Sequence, residues 1–300
     1  MQKPSDAGQL QTRRRPLDNP SPDALHKSTF RPIAYRNFKH TLGKLNAIVE
    51  GAELATRKLK REAESSPDQA AFIKQLSIDH CVRVDTLDFI LLHQLTAQFF
   101  IVSVHQQFEI FLKSLETELS SFEWMDIEGE SLLKEVLSSL PRGYNQVVGS
   151  IGRWEIEIAD YYRLVRNEFV HTDGSGIIKK DAERLRSKLQ QEGGKYSRLD
   201  APNVYSSIGF DDFVLFSRVV KEIALGICIL ARPHDSEIVA MLMDLNERKL
   251  ANVDFVSLRR KRRNPDRLKR AVQTLLRSVY SLNERESGPI IELLISGPLA

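Results

Sequence analysis

Cysteine is scarce in this sequence, and its scarcity excludes the small folds that depend on cross-links or metal ions. Cys81 and Cys228 are the two cysteines among 300 residues. Two thiols cannot staple a disulfide-rich scaffold or complete a four-cysteine zinc site. The chain is therefore expected to fold around an ordinary hydrophobic core. Because both cysteines have apolar surroundings in the sequence, we expect them to be reduced thiols within that core.

Glycine, proline and long apolar runs are also limited. The 15 glycines and 12 prolines stand at or below the average shares of about 7% and 5%, as suits a helical chain. No apolar run reaches the roughly 20 residues that cross a bilayer. The three arginines at residues 13–15 are not followed by the apolar stretch of a secretory signal. These absences predict a soluble, cytoplasmic protein with no membrane partner.

An excess of one charge is missing from the chain as a whole, but not from its C-terminal part. The sum of 43 Lys and Arg against 40 Asp and Glu is +3, which by itself predicts no nucleic-acid partner. Between residues 259 and 285, however, ten cations stand against two acids. The basic cluster, as we call it, consists of Arg259, Arg260, Lys261, Arg262, Arg263, Arg267, Lys269 and Arg270. Such a patch attracts phosphates without reading sequence. It predicts contact with an RNA or DNA backbone, with a solvated face or an acidic protein partner as the alternatives.

Helical periodicity and composition divide the chain into four segments. Residues 1–32 are rich in proline and predict a disordered arm, and residues 33–85 predict an N-terminal helical extension. Residues 86–232 hold a long apolar helix and a second amphipathic helix that ends at His171, and they predict a helical core. Residues 233–300 form the basic C-terminal segment, in which Asn264-Pro265-Asp266 begins a helix. With no alternating run long enough for a strand, the predicted fold class is all-α.

The segment with the clearest chemical content is Arg166-Asn167-Glu168-Phe169-Val170-His171. RNA carries its own nucleophile, the 2′-hydroxyl, so its cleavage needs a proton-transfer group and a cation for the phosphate. Histidine and arginine supply these two functions at neutral pH. On an ideal helix Arg166 and His171 lie about 140° apart, whereas Asn167 and His171 share a face. Two arrangements could bring Arg166 and His171 together. The helix could end near His171 and free its side chain to rotate towards Arg166, or the site could combine residues of two chains.

These residues resemble the motif of the HEPN superfamily, in which an Arg, four to six residues and a His often form the site of a metal-independent endoribonuclease. The resemblance covers residues 86–232 and includes the stretch 108–112 in the preceding apolar helix. It implies a HEPN-like helical bundle, a homodimer with facing motifs, and RNA as substrate. Arg166 and His171 would be catalytic, with Asn167 assisting. It also implies a place in prokaryotic defence or toxin–antitoxin systems, with an antitoxin or a defence-system protein as a further partner.

Three further residues are candidates for supporting the site. Glu109 lies on the preceding helix, where acidic residues of HEPN relatives anchor the arginine, or it is a plain surface carboxylate. Tyr162 and Arg163 would line the cleft, with core packing as the alternative for the tyrosine. The predictions include no metal and no cofactor, because His80, His93 and His105 match no zinc-ligand spacing and the chain has no phosphate-binding loop.

Two other functions fit the same residues. One is a non-catalytic HEPN-like scaffold that binds nucleic acid or a protein partner. The other is a helical interaction protein unrelated to HEPN, in which Arg163, Arg166 and His171 form an exposed polar face. In that case His171 would be a cation at the C-terminal end of its helix, where the helix dipole favours positive charge.

Overall fold

A computed structural model describes residues 28–84, 86–119, 124, 127, 131–171, 177–192, 196 and 198–299; at residues 171, 177–179 and 189–192 it describes the backbone alone. The structure is 76% helical, and its described part contains twelve α-helices and no β-strand. The predicted all-α fold class is thereby confirmed.

The helices follow one another with short connections, and we number them in chain order. They are α1 Ile33–Glu64, α2 Gln69–Asp79, α3 Phe89–Glu118, α4 Leu132–Ser139, α5 Tyr144–Ile151, α6 Arg153–His171, α7 Ile177–Glu192, α8 Phe210–Leu230, α9 Asp235–Glu247, α10 Phe255–Arg259, α11 Pro265–Tyr280 and α12 Glu284–Ser296. Several begin where an Asp, Asn or Ser side chain accepts a hydrogen bond from an N–H group of the first turn. Asn264 does so for α11, and Pro265 occupies the first helical position, as predicted.

Four long helices, α1, α3, α6 and α8, form an antiparallel bundle. Their directions follow from which ends meet. Phe38 near the start of α1 contacts Phe111 near the end of α3, and Phe169 near the end of α6 contacts Phe99 in the first half of α3. Phe100 and His105 of α3 contact Phe213 and Phe216 of α8 in the same order along the chain. The pairing shows that α1 and α6 run opposite to α3 and α8. Because α1 buries Phe38 and Leu42 in the same core as α3, the predicted N-terminal extension shares its core with residues 86–232.

A short segment before α1 ties the four C-terminal helices to the bundle. Phe30 is fully buried, with its ring 5.5 Å from that of Tyr280 in α11. The Glu286 carboxylate in α12 accepts hydrogen bonds from the Ser28 hydroxyl and the Thr29 backbone N–H. Residues 28–32 therefore differ from the predicted disordered arm, because Phe30 has a core position to fill. Residues 1–27 lie outside the described residues.

The two cysteines occupy different environments. Cys228 in α8 is fully buried, and burial raises the pKa of its thiol. Cys81 is exposed in the turn after α2, where its backbone is left-handed, with φ of 53°. The prediction of two core thiols is therefore right for Cys228 and wrong for Cys81, because α2 ends before its next apolar position reaches the core.

Candidate functional site

A cavity of about 490 Å³ lies between α3, α4 and α6, and we call it the α3–α6 cavity. Its lining includes four of the residues singled out from the sequence, namely Arg163, Arg166, Asn167 and Glu109, together with His105. The structure thus gathers the predicted cation, its polar neighbour and the predicted acidic residue at one place. The histidine that shares the cavity comes from α3, one helical turn before Glu109.

The amphipathic pattern of α6 determines which of its side chains reach this cavity. Ile158, Tyr162 and Val165 are buried against the bundle. Arg163 and Arg166, three residues apart, lie on the adjoining face and line the cavity. The helix therefore presents its arginines at the edge of the core, where they are neither fully solvated nor fully enclosed.

The two arginines differ in how their charges are paired. Arg163 Nε lies 2.8 Å from Asp160 Oδ1 within α6. Arg166 Nη1 donates a hydrogen bond to Asn167 Oδ1 at 3.0 Å. Within the described part of the chain, Arg166 forms no ion pair with a carboxylate. Because guanidinium carries five N–H donors in a planar fork, Arg166 retains donors for an incoming anion.

His105 is the residue that the sequence analysis missed. The whole residue is 7% exposed, its ring centroid lies 6.5 Å from that of Phe216, and its buried Nδ1 has no hydrogen-bond partner in the structure. Burial lowers the pKa of His105 and, although Glu109 opposes the shift, Arg166 and Arg163 lower it further. The lowered pKa favours the neutral form of the imidazole. Its only sequence signal is a His and a Glu four residues apart, a spacing that puts both on one helix face.

Glu109 has a different neighbour from the one predicted. Its Oε2 lies 3.7 Å from His105 Nδ1, longer than a hydrogen bond. Among the described side chains it makes no ion pair with Arg166, the residue it was expected to anchor. The nearest charged or polar neighbour of Glu109 is therefore His105, and its influence on Arg166 is a longer-range electrostatic one.

Tyr162 does not line the α3–α6 cavity. Its side chain is fully buried, and its hydroxyl donates a hydrogen bond of 2.8 Å to Asp212 Oδ1 in α8. The same carboxylate accepts hydrogen bonds from the backbone N–H groups of Asn203 and Gly209. The predicted cleft role of Tyr162 is replaced by a core role, because Asp212 offers the hydroxyl a buried acceptor.

His171 is the last residue of α6, and its side chain lies outside the described residues. The helical backbone continues to this position, so residue 171 follows Asn167 by four residues, or about 6 Å along the axis. It follows Arg166 by about 7.5 Å on the same basis. Position 171 thus comes just after the end of the cavity that Arg166 and Asn167 form.

An exposed apolar stripe lies beside this end of α6. Leu91, Leu95 and Phe99, spaced four residues apart on α3, are 48%, 37% and 58% exposed. Val170 on α6 is 47% exposed, and the Phe99 ring meets that of Phe169 edge-on with centroids 5.0 Å apart. Contiguous apolar surface of this kind marks contact with another molecule more often than isolated exposed side chains do.

The basic cluster lies in α10, in the turn that follows it and in the first turns of α11, and none of its residues lines the α3–α6 cavity. Leu268, Val272 and Leu276 bury the opposite face of α11, which leaves the cations in solvent. Arg259 donates hydrogen bonds to the backbone oxygen of Pro298. None of the eight cations forms an ion pair within the described ranges.

A second cavity, of about 560 Å³, lies between α1, the start of α3 and residues 200–211. Several of its charged side chains are paired with one another. Glu53 Oε1 lies 2.6 Å from Arg57 Nε, and Glu53 Oε2 lies 3.4 Å from His93 Nδ1. The Arg57 guanidinium also lies 5.8 Å from the centre of the Phe210 ring. This internal pairing distinguishes the second cavity from the α3–α6 cavity, in which Arg166 has no acidic partner among the described residues.

Comparison with known proteins adds no assignment: no family model, no curated protein and no solved structure matches the chain. Across the residues that the structure describes, no helix has the length and apolar character needed to cross a membrane. In the same residues, no group of three or more His, Cys, Asp or Glu side chains is arranged to hold a metal ion.

Proposed function

We propose that this protein is a metal-independent endoribonuclease of the HEPN type, with Arg166 and His171 as its catalytic residues and Asn167 assisting. The observation that carries the proposal is the placement of Arg166 in the α3–α6 cavity with Asn167 as its hydrogen-bond partner and no carboxylate paired to it in the described structure. An arginine held in this way is available to a phosphate.

The chemistry requires few groups. The 2′-hydroxyl of RNA attacks the adjacent phosphorus, so no metal-bound water is needed as nucleophile. Arg166 stabilises the charge that develops on the pentacoordinate phosphate, an electrostatic effect that is strongest where water is partly excluded. His171, at the end of α6, transfers a proton, and Asn167, one turn before it, orients the imidazole.

The second copy of the chain is proposed as a partner on two grounds. The resemblance to HEPN proteins implies a homodimer, and the exposed apolar stripe of Leu91, Leu95, Phe99 and Val170 lies next to the end of the motif. Packing this stripe against its copy would bring two α6 ends together. A place in a prokaryotic defence or toxin–antitoxin system rests on the resemblance alone.

The basic cluster is proposed to hold RNA by its backbone. None of its eight cations has a carboxylate partner in the described residues, and they surround the exposed start of α11. Each phosphate that such a cation neutralises releases counterions, which makes binding strong at low salt and largely independent of sequence. The cluster would therefore contribute to affinity, whereas Arg166 and His171 determine cleavage.

The test is RNA cleavage by the purified protein in EDTA, with Arg166→Ala and His171→Ala beside the unmodified chain. Arg248→Ala is the matched control, since this exposed arginine just after α9 pairs with Asp244 Oδ1 at 2.9 Å, far from the motif in sequence. Loss of an oxyanion-type donor or an acid–base group costs about 100-fold or more in rate. We expect that loss in the two motif variants and none in the control. Equal cleavage by all four proteins, or none by any, refutes the proposal; RNA binding without cleavage would select the non-catalytic scaffold.

A further inference from the structure

The α3–α6 cavity contains a second histidine that the motif does not include. His105 is more than nine-tenths buried, yet its ring lines the cavity beside Arg166, and its Nδ1 has no hydrogen-bond partner. Buried polar atoms of folded proteins are nearly always satisfied, so an unpartnered Nδ1 with the Glu109 carboxylate 3.7 Å away indicates a contact that closes when a ligand fills the cavity.

We propose that His105 is the general base of the RNA cleavage reaction, with Glu109 as the positioning residue that orients its imidazole. This inference rests on the proposed function and extends it, because each chain's motif provides one histidine and the reaction moves two protons. The two histidines would divide these transfers between them.

Every element packed around His105 contributes to its environment. The charged or aromatic groups that face it or line the same cavity are Glu109 from α3, Glu157, Asp160, Arg163 and Arg166 from α6, Lys134 from α4, Tyr144 from α5 and the uncharged ring of Phe216 from α8. The two nearby guanidinium groups and burial favour the neutral imidazole, which is the form that accepts a proton. The carboxylate nearest to the imidazole is that of Glu109, at 3.7 Å.

Glu109 also selects which nitrogen of His105 reacts. A carboxylate facing Nδ1 favours the tautomer with its proton on Nδ1 and leaves the lone pair on Nε2. The present separation of 3.7 Å is longer than a hydrogen bond. Catalytic hydrogen bonds of this kind are often long in the free enzyme and shorten when substrate binds.

The reaction balances with these two histidines. His105 Nε2 takes the proton of the 2′-hydroxyl, the 2′-oxygen forms a bond to phosphorus, and the bond from phosphorus to the 5′-oxygen breaks. The 5′-oxygen takes a proton from His171. The products are a 2′,3′-cyclic phosphate and a free 5′-hydroxyl, and both histidines then exchange protons with water.

The test compares kcat and KM for a short RNA over a range of pH, using the full chain and His105→Gln. The control is His93→Gln, which changes a histidine of the same helix whose Nδ1 also faces a glutamate, Glu53, at 3.4 Å. A general base is worth about 100-fold or more. We expect His105→Gln to lose at least that factor in kcat, with KM within threefold, and to lose the acid limb of the pH profile. His93→Gln should keep both.

Glu109→Gln provides a second measurement that does not depend on the folding of the His105 variant. Because Glu109 favours the protonated imidazole, its removal should move the acid limb to lower pH. If the full chain cleaves RNA but His105→Gln keeps kcat within threefold and retains the acid limb, the inference is wrong and the proposed function stands. The inference is equally wrong if Glu109→Gln leaves the limb in place or moves it to higher pH. If the full chain cleaves no RNA, both the inference and the proposed function fail.

Discussion

Changing Tyr162 to Phe should weaken the fold without slowing the reaction. The hydroxyl of Tyr162 is fully buried and donates to Asp212 Oδ1 at 2.8 Å. Asp212 is itself fully buried, and each of its two oxygens accepts two hydrogen bonds, the others coming from Asn203 and Gly209. This carboxylate joins α6, α8 and the segment that leads into α8.

The loss in free energy of unfolding can be ranked by the groups that each substitution leaves unpaired. Tyr162→Phe removes one donor from a carboxylate that keeps three, and a hydrogen bond to such a group contributes about 1.5–3 kcal/mol. Asp212→Ala leaves four donors without their acceptor, including two backbone N–H groups, and should cost about 3–5 kcal/mol. Asp212→Asn keeps one acceptor oxygen, so its cost should lie between those of Tyr162→Phe and Asp212→Ala.

Chemical denaturation followed by circular dichroism measures this order, and cleavage assays at a fixed concentration of folded protein measure the rate. Tyr35→Phe is the control, because the half-buried Tyr35 hydroxyl has no hydrogen-bond partner in the described structure; we expect a change within about 0.5 kcal/mol. The reasoning fails if Tyr162→Phe costs as much as Asp212→Ala, or if it leaves stability unchanged while kcat falls. The second outcome would mean that Tyr162 acts in the cleft and not as a core residue.

Three further outcomes follow from single contacts. Burial by itself raises the pKa of Glu286, but hydrogen bonds from Thr29 and Ser28 outweigh it and lower that pKa. Glu286→Gln should therefore lower the urea midpoint of unfolding at neutral pH. The difference in midpoint from the unmodified chain should shrink as the pH falls below the ordinary pKa of a glutamate and the carboxyl is protonated. A thiol reagent should modify one cysteine of the native protein and two after unfolding, and Cys81→Ser should abolish the native reaction. Replacing the exposed Arg267 by Ala should reduce the slope of log affinity for RNA against log salt by about 0.7–0.9, whatever the RNA sequence.

The helices of the bundle could be predicted well because each carries its own local signals. The apolar run of α8 predicts Phe210–Leu230, and the structure has those bounds. The amphipathic pattern of residues 149–171 predicts a single helix. The structure instead has two helices there, α5 and α6, divided at Gly152, whose φ of 122° no other residue type adopts without strain. A glycine inside an apolar pattern does not reveal from sequence alone that the chain turns there.

The residue pattern by itself predicts only the part of the site that lies on α6, and Glu109 of α3 was added by the resemblance to HEPN proteins. Arg166 and Asn167 are adjacent in sequence, so their motif was visible. His105 is 61 residues from Arg166 in the chain, and only the antiparallel packing of α3 on α6 brings them to one cavity. A histidine among apolar residues is as consistent with a core side chain as with a site residue. Sequence periodicity does not indicate which helix will pack against it.

The placement of His105 between one carboxylate and two guanidinium groups has a consequence for substrate binding. In the free protein, the burial of His105 and the charges of Arg166 and Arg163 lower its pKa, which favours the neutral imidazole but also makes it a weaker base. A phosphate bound at Arg166 offsets that positive charge, so the pKa of His105 should rise when RNA occupies the cavity. The acid limb of kcat, which reports the complex, should therefore lie at higher pH than the acid limb of kcat/KM, which reports the free protein. Arg163→Gln should move both limbs to higher pH, because Arg163 lowers the pKa of His105 in the free protein and in the complex alike. Coincident limbs in the unmodified chain would mean that the phosphate does not bind next to His105.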